Sequence, residues 1–509
     1  MKTKIFKAAT GLVLLGVSAG AFAGKAENSM VVAINKEIQS LDSLYSTSRE
    51  SLILSHLLSD QLVSVDPTTG EYMPALAESF SFVDPSTIEF VIREGVKFHD
   101  GSDLTVEDVV YSINWAASDE GQTYRRTMVS LWFDRVEKVD DRRLRLYSKF
   151  PYPLALRDIA TFVQTRKAGS YHKDGKVNID AFASDYNGTG PFKVSSFSMG
   201  SGLVLERFED YYANSPKGVL SLDKLVLKPV TDWGTLTAEM MAGNVDWSYS
   251  IPEDVATSVA SMPTIKHISG PELRIAFINL DAKGMTGENN PLTKLKVRQA
   301  LNYAVNRKSI VKNLVNDSAF VINAACHPSQ FGCASDVKAY EYDPEKAKKL
   351  LTEAGYPDGF EFEMWAHVDK PVVEAIAADL AKVGVKVKMN WAKLGTLDKA
   401  RNQEETQAYL GTWGSFGTFD VAASADHFIS GSDRNLHNDT TIESLFVDAQ
   451  KTTDSQAREQ MYKEALKRFA EQAYWVPMFS YSVNFLANND VEFTPWADGV
   501  PRLYELNWK

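Results

Sequence analysis

Residues 409–420 read YLGTWGSFGTFD, an apolar run that turns glycine-rich, then aromatic, then acidic. Trp413 and Phe416 offer flat apolar faces, and Gly411, Gly414 and Gly417 leave the main chain approachable. Such a surface suits a flexible solute held by backbone hydrogen bonds. The plainer alternative is a buried strand-to-loop corner. Covalent chemistry has weaker support. The chain has no G-x-S-x-G elbow, no H-E-x-x-H pair and no P-loop, and Gly188-Thr189-Gly190-Pro191 lacks the order of a phosphate loop. His427 and His437 flank a polar loop with Asp426, Asp433 and Asp439, which could hold a metal or could be solvated surface. Cys326, His327 and Cys333 make a poor zinc pattern, and a local Cys326–Cys333 disulfide is expected instead. No cofactor, resident metal or catalytic residue is expected.

These side chains need a scaffold, and residues 76–113 are its clearest part. Ile88, Phe90 and Ile92 alternate with Glu89 and Val91, which predicts a strand after the polar turn at Asp84-Pro85-Ser86. His99-Asp100-Gly101 predicts a tight turn. Thr105 with Asp108 three residues on predicts a capped helix start. Further along, Val297, Ala300, Leu301, Ala304 and Val305 recur at helical spacing. Asp343-Pro344 opens and Gly355 closes another helix. A strand–helix–strand order over 361–393 suggests an α/β lobe with a mixed sheet, and 455–473 reads as a long helix.

The first residues set an export signal. Lys2, Lys4 and Lys7 precede an apolar run from Ala8 to Gly20. Ala21-Phe22-Ala23 fits a cleavage site, so Gly24 is expected to start a periplasmic chain with no lipid-anchor cysteine. That run is too short to span a bilayer. The formal net charge is −12 and more negative without the three leader lysines, which argues against nucleic acid as a partner.

The order and residue types of 76–113 closely resemble the signature segment of extracellular solute-binding proteins of peptide and nickel ABC importers (solute-binding family 5). Three further blocks resemble the same family. They are the Gly-Thr-Gly-Pro turn with Asp210-Tyr211 beyond it, RIAFINLD with LKVRQALNYAVNRKSIV, and DPEKAKKLLTEAGY. The resemblance implies a two-lobed α/β periplasmic-binding-protein fold (type II, cluster C-like), with mixed sheets, a hinge and an inserted α+β domain. Matching the blocks divides the chain into a leader (1–23), lobe I (24–64, 188–272 and 478–509), an inserted domain (65–187) and lobe II (273–477). It implies a monomeric receptor that closes on a small peptide or peptide-like solute and delivers it to ABC permease subunits. Metal-chelate, opine and oligosaccharide receptors on the same architecture stay open, and an exported hydrolase is a weaker option.

The resemblance also implies site residues. Peptide-binding members carry an Asp after a Gly in the Trp segment, where it neutralises the peptide ammonium. Alignment of Gly411 through Gly417 puts Ser415 there, so the anchor is missing unless Asp420 substitutes. The expected wall is therefore Trp413, Gly414, Ser415 and Phe416, with Asp420. Lys370, before Pro371, stands where a basic residue pairs with a ligand carboxylate, and His367 lies in the same segment. Ser46, Thr47 and Arg49 follow the first strand, where the family lines its cleft, although Thr47 or Ser48 could equally cap a helix. Tyr124, Arg125 and Arg126 are weaker candidates from the inserted domain. Trp233, Trp247 and Trp391 are expected as core or wall.

Overall fold

The computed structural model describes residues 24–509 except 47, 67–69, 317, 430, 431 and 433. The expected leader and Thr47 thus lie outside the described residues. No helix among the described residues is long and apolar enough to cross a membrane.

The chain has the two-lobed α/β fold expected. Among the described residues its main sheet has 11 strands. In spatial order ten of them are Phe192–Ser198, Gly202–Arg207, Lys224–Pro229, Ser29–Ile34, Trp247–Tyr249, Trp475–Asn488, Ile265–Leu280, Ala408–Trp413, Phe360–Ala366 and Val385–Trp391. Phe320–Val321 joins the edge of Trp475–Asn488. Ser29–Ile34 runs parallel to both its neighbours, Lys224–Pro229 and Trp247–Tyr249, and Phe360–Ala366 runs parallel to Val385–Trp391 and Ala408–Trp413, while the other pairs are antiparallel, so the sheet is mixed.

Two long antiparallel strands, Ile265–Leu280 and Trp475–Asn488, lie at the middle of this order. Their pairing is regular from Ile265 to Pro271, breaks between Pro271 and Ile275, and shifts again between Ala276 and Phe277 before running on to Asn279. The expected lobe boundaries at 272/273 and 477/478 both fall inside these strands. A register break leaves residues unpaired and bends a strand locally. Glu272 and Arg274 occupy that break.

Helices cover the sheet where the apolar spacing demands it. Leu295–Ala304 buries Val297, Ala300, Leu301 and Ala304 against Ala276, Ile278 and Leu280. Full burial of a side chain such as Leu301 contributes roughly 1.5–3 kcal/mol. Ala408–Trp413 is buried along nearly its whole length, which is why it reads as a continuous apolar run without alternation.

Residues 77–148 form a separate four-stranded antiparallel sheet in the order Ala77–Asp84, Thr87–Ile92, Arg143–Ser148, Phe133–Lys138. Ile88, Phe90 and Ile92 are buried on one face with Leu144 and Leu146 opposite Phe90 and Ile88. Helix Val106–Ala117 starts with the expected capping box. The Thr105 hydroxyl accepts from the Asp108 amide at 3.3 Å, and the Asp108 carboxylate accepts from the Thr105 amide at 2.8 Å.

The His99 turn and the Gly188–Pro191 turn brace each other against the end of the first helix. The Gly190 amide donates to the Leu58 carbonyl at the end of helix Arg49–Leu58, and the Asp60 amide donates to the Thr189 hydroxyl at 3.1 Å. His99 Nε2 donates to the Gly190 carbonyl at 3.0 Å while Nδ1 accepts from the Gly188 amide at 3.3 Å, which fixes one tautomer. Burial pulls the His99 pKa down to about 4, so the ring is neutral. A Cβ on Gly190 would stand 2.4 Å from the backbone of Leu57, Leu58 and Ser59. Gly190→Ala is therefore expected to destabilise the protein by about 1–3 kcal/mol, read as a lower urea midpoint with an unchanged slope.

Candidate functional site

Strand Ala408–Trp413 places the glycine–aromatic run beside Ile265–Leu280, with Gly411 opposite Phe277 and Trp413 opposite Ile275. A Cβ on Gly411 would lie 2.8 Å from the Phe277 ring and 3.0 Å from that of Tyr409, so glycine is what lets those rings close in. Trp413 stacks on His427 at 3.9 Å with an interplanar angle of 7°. Phe428 meets both rings edge-on. Behind them Phe277 stacks on Trp475 at 3.6 Å. The outcome is an aromatic wall whose imidazole is neutral, because burial, then Arg434 and Arg401, push the His427 pKa down to about 3.

Facing this wall is a layer of charge. Arg49, on the first turn of helix Arg49–Leu58, is hydrogen-bonded to Glu272. Arg274 donates to the same Glu272 oxygen at 3.2 Å and to the Thr412 hydroxyl at 3.3 Å. Burial disfavours the Glu272 charge, but the two guanidinium groups outweigh it and hold the carboxyl below its ordinary value of 4.5. Burial likewise opposes the Arg49 charge, and Glu272 more than restores it. Gly414 leaves room for this layer, since a Cβ there would stand 3.0 Å from Arg274 Nη2. Asp398 forms a second cluster, bonded to Arg401 and 3.9 Å from Arg434 Nη2. Arg125 enters from the 77–187 region with its guanidinium 5.5 Å from the centre of the Phe162 ring, and burial disfavours its charge.

The two layers enclose a cavity of about 570 Å³. Arg49, His367, Trp413 and Gly414 stand on its wall, as do Arg125, Arg274, Arg401, Arg434, Phe277 and His427. The last five were not selected from the sequence as wall residues. Arg274 carried a faint signal, a charge opening an otherwise apolar strand. His427 was weighed as a metal ligand and is instead a stacking partner of Trp413. Among the described residues no three His, Cys, Asp or Glu side chains gather as a metal site.

Other expected residues lie off this wall. Ser415 is buried, has φ of 52° and opens the turn Ser415–Gly417, which also contains the backbone of Phe416. Asp420, the expected substitute for the acid, lies off this wall. It accepts from Arg458 Nη2 at 2.5 Å and from the Ala422 amide at 2.9 Å. It faces a neighbouring cavity of about 660 Å³ that shares Thr161 and Gly417 with the first. Lys370 is the first residue of helix Lys370–Ala381, exposed and 3.9 Å from Glu374. Ser46 accepts from the Ser51 hydroxyl at 2.6 Å beside the helix start, where Ser48 is the cap and also lines the cavity. Tyr124 is exposed, Trp391 is half-exposed, and Trp247 is core, stacked on Tyr249.

The expected disulfide is present, linking Cys326 to Cys333. The loop it closes supports the site from behind. The Phe331 amide donates to the Phe419 carbonyl at 2.8 Å, the Val421 amide to the Phe331 carbonyl at 3.1 Å, and Gln330 Nε2 to the Thr418 carbonyl at 3.0 Å.

A cleft at the crossing of two lobes, lined by rings, glycines and arginines, defines a solute-binding protein. The chain belongs to the bacterial extracellular solute-binding proteins, family 5, whose model matches residues 71–435. It is 29% identical over 463 residues to heme-binding protein A of Haemophilus influenzae, covering 84% of this chain and 82% of that one. It is 26% identical over 495 residues to the glutathione-binding protein GsiB of Escherichia coli, covering 92% of each. Among solved structures, the dipeptide-binding protein of Pseudoalteromonas sp. SM9913 in complex with Met-Leu superposes with a TM-score of 0.79 at 21% identity. That superposition covers 94% of this chain and all of the other.

Two outcomes follow from this geometry. Arg49→Met strips one guanidinium from a buried carboxylate and should cost about 2 kcal/mol in urea unfolding. Glu272 has a depressed folded pKa, so its stabilisation is complete above pH 4.5 and is lost as the pH falls through the folded value. The difference between wild type and variant should thus be largest near neutral pH and shrink in acid, as Glu272 is protonated first in the variant and then in the wild type. Replacing both cysteines by serine should speed hydrogen exchange at the Phe331 and Val421 amides while leaving the capped helix Val106–Ala117 unchanged.

Proposed function

We propose that the protein is the periplasmic receptor of an ABC importer, capturing one peptide-like solute in the cleft and delivering it to membrane permease subunits. The carrying observation is the cavity of about 570 Å³ built by residues far apart in the sequence, among them Arg49, Arg125, Glu272, His367 and Trp413. That size suits a solute of a few residues. The hinge lies at the Pro271–Ile275 register break, where lobe I (24–64, 188–272, 478–509) passes to lobe II (273–477), with 65–187 as the inserted domain. Closure of the lobes is the functional event. The protein works as a monomer, after removal of its leader, and binds without altering its solute. The family is one of binding proteins, and the sequence offers no nucleophile motif. The relatives named for glutathione and the neighbour bound to Met-Leu favour a peptide-like solute.

Protein purified from its host and gently denatured is expected to release one small solute per chain, identified by mass spectrometry. The same solute, re-added to refolded protein, should be recovered unchanged after prolonged incubation. A processed product would contradict the proposal.

A further inference from the structure

The two long central strands pair unevenly between the lobes. Pro271 stands opposite Ser482 and Ile275 opposite Ser480, so Glu272, Leu273 and Arg274 lie opposite Tyr481 alone. Extra residues on one strand of a pair bend it and interrupt the ladder. This bulge is tied down by side chains instead. The Ser480 hydroxyl donates to the Glu272 carbonyl at 3.1 Å. Leu273 is fully buried. Arg274 Nε donates to the Glu272 carboxylate at 3.2 Å, and Nη1 donates to the Thr412 hydroxyl at 3.3 Å. The Tyr481 hydroxyl donates to Asp369, the residue before helix Lys370–Ala381.

These bonds run from one side of the bulge to the other. On the lobe I side Glu272 is held by Arg49, in the first turn of helix Arg49–Leu58. Arg274 grips the same carboxylate from beyond the bulge, and its second bond fastens it to the strand that ends in Trp413. A planar guanidinium presents its N–H groups in a fixed fork, so one side chain can hold two acceptors at a set angle. Gly414 leaves room for that fork, since a Cβ there would stand 3.0 Å from Arg274 Nη2. Tyr481 adds a second tie, from the lobe I strand to the Asp369 turn of lobe II. Burial and the neighbouring Asp369 charge keep its hydroxyl protonated, so it stays a donor.

We infer that Arg274 is a positioning residue for solute capture: by joining Glu272 to Thr412 across the bulge, it sets the angle at which the Trp413 wall meets helix Arg49–Leu58. This rests on the receptor reading and its lobe division, and it names what holds the lobes before a solute arrives. Without the Arg274 link the bulge is free to unbend, and charged side chains on the cleft wall gain water as the lobes part. The solute-free chain then spends more time open. A receptor less often in its binding arrangement binds more weakly in proportion.

The test is small-angle scattering of the full chain, freed of solute by mild denaturation and refolded, with urea unfolding run on the same samples. Arg274→Met is expected to give a larger radius of gyration than wild type. Thr412→Val leaves the Arg274–Glu272 bond in place and removes only the far end of the link, so it should shift the radius the same way by less. A lower urea midpoint with an unchanged radius would mean that Arg274 serves packing alone and would overturn the positioning role. If Arg274→Met does not refold, Thr412→Val decides by the same criterion. The measurement uses no solute, so an unchanged radius counts against the link and leaves the receptor reading to be judged by the co-purifying solute.

Discussion

Glu272 is the point on which the rest of the structure turns. It sits in the register break between the two long central strands, almost fully buried, with arginines from both directions on its carboxylate. Burying a carboxylate costs several kcal/mol unless it is paired and hydrogen-bonded. Arg49 ties it to the first helix, and Arg274 carries the contact on to Thr412 in the aromatic strand. The closing segment of the chain conforms to it as well. Gly499, with φ of 69°, packs so closely that a Cβ would lie 2.7 Å from Glu272 Cγ, and its carbonyl accepts from Arg49 at 3.4 Å. One ion cluster on the cavity wall thereby ties together distant stretches of sequence.

The cleft has two faces of different physics. The aromatic face is non-directional and tolerates varied solutes, since Trp413, His427 and Phe277 offer area without charge. The arginine face is directional, and its own carboxylates hold the guanidinium groups in place before any solute arrives. Preorganisation of that kind lowers the ordering cost of binding. The disulfide loop adds rigidity behind the aromatic face through main-chain bonds to Phe419 and Val421.

Much of the fold was legible in the sequence because its signals are local. The strand at Ile88–Ile92, the Thr105–Asp108 cap, the helices at 295–304 and 344–353 and the Cys326–Cys333 bridge depend on residues within a few positions of one another. Part of the wall was legible for the same reason, since glycines beside Trp413 announce open backbone. The arginines were not. Arg274, Arg401 and Arg434 look like ordinary surface charges in one dimension, and only pairing with Glu272 and Asp398 brings them to the cleft. Lys370 and Asp420 show the converse. Each had the right type at the right spacing, yet a helix start exposes the first and Arg458 captures the second. Ser46 was diverted in the same way, into hydrogen bonds with the hydroxyls at the start of the first helix.

The most direct measurement is small-angle scattering of the full chain, stripped of solute and then reloaded with the solute that co-purifies. Bending at the Pro271–Ile275 break predicts a smaller radius of gyration on loading, and the same shrinkage should be absent with a solute that does not bind. An unchanged radius at saturating solute would contradict a receptor that works by closing its lobes.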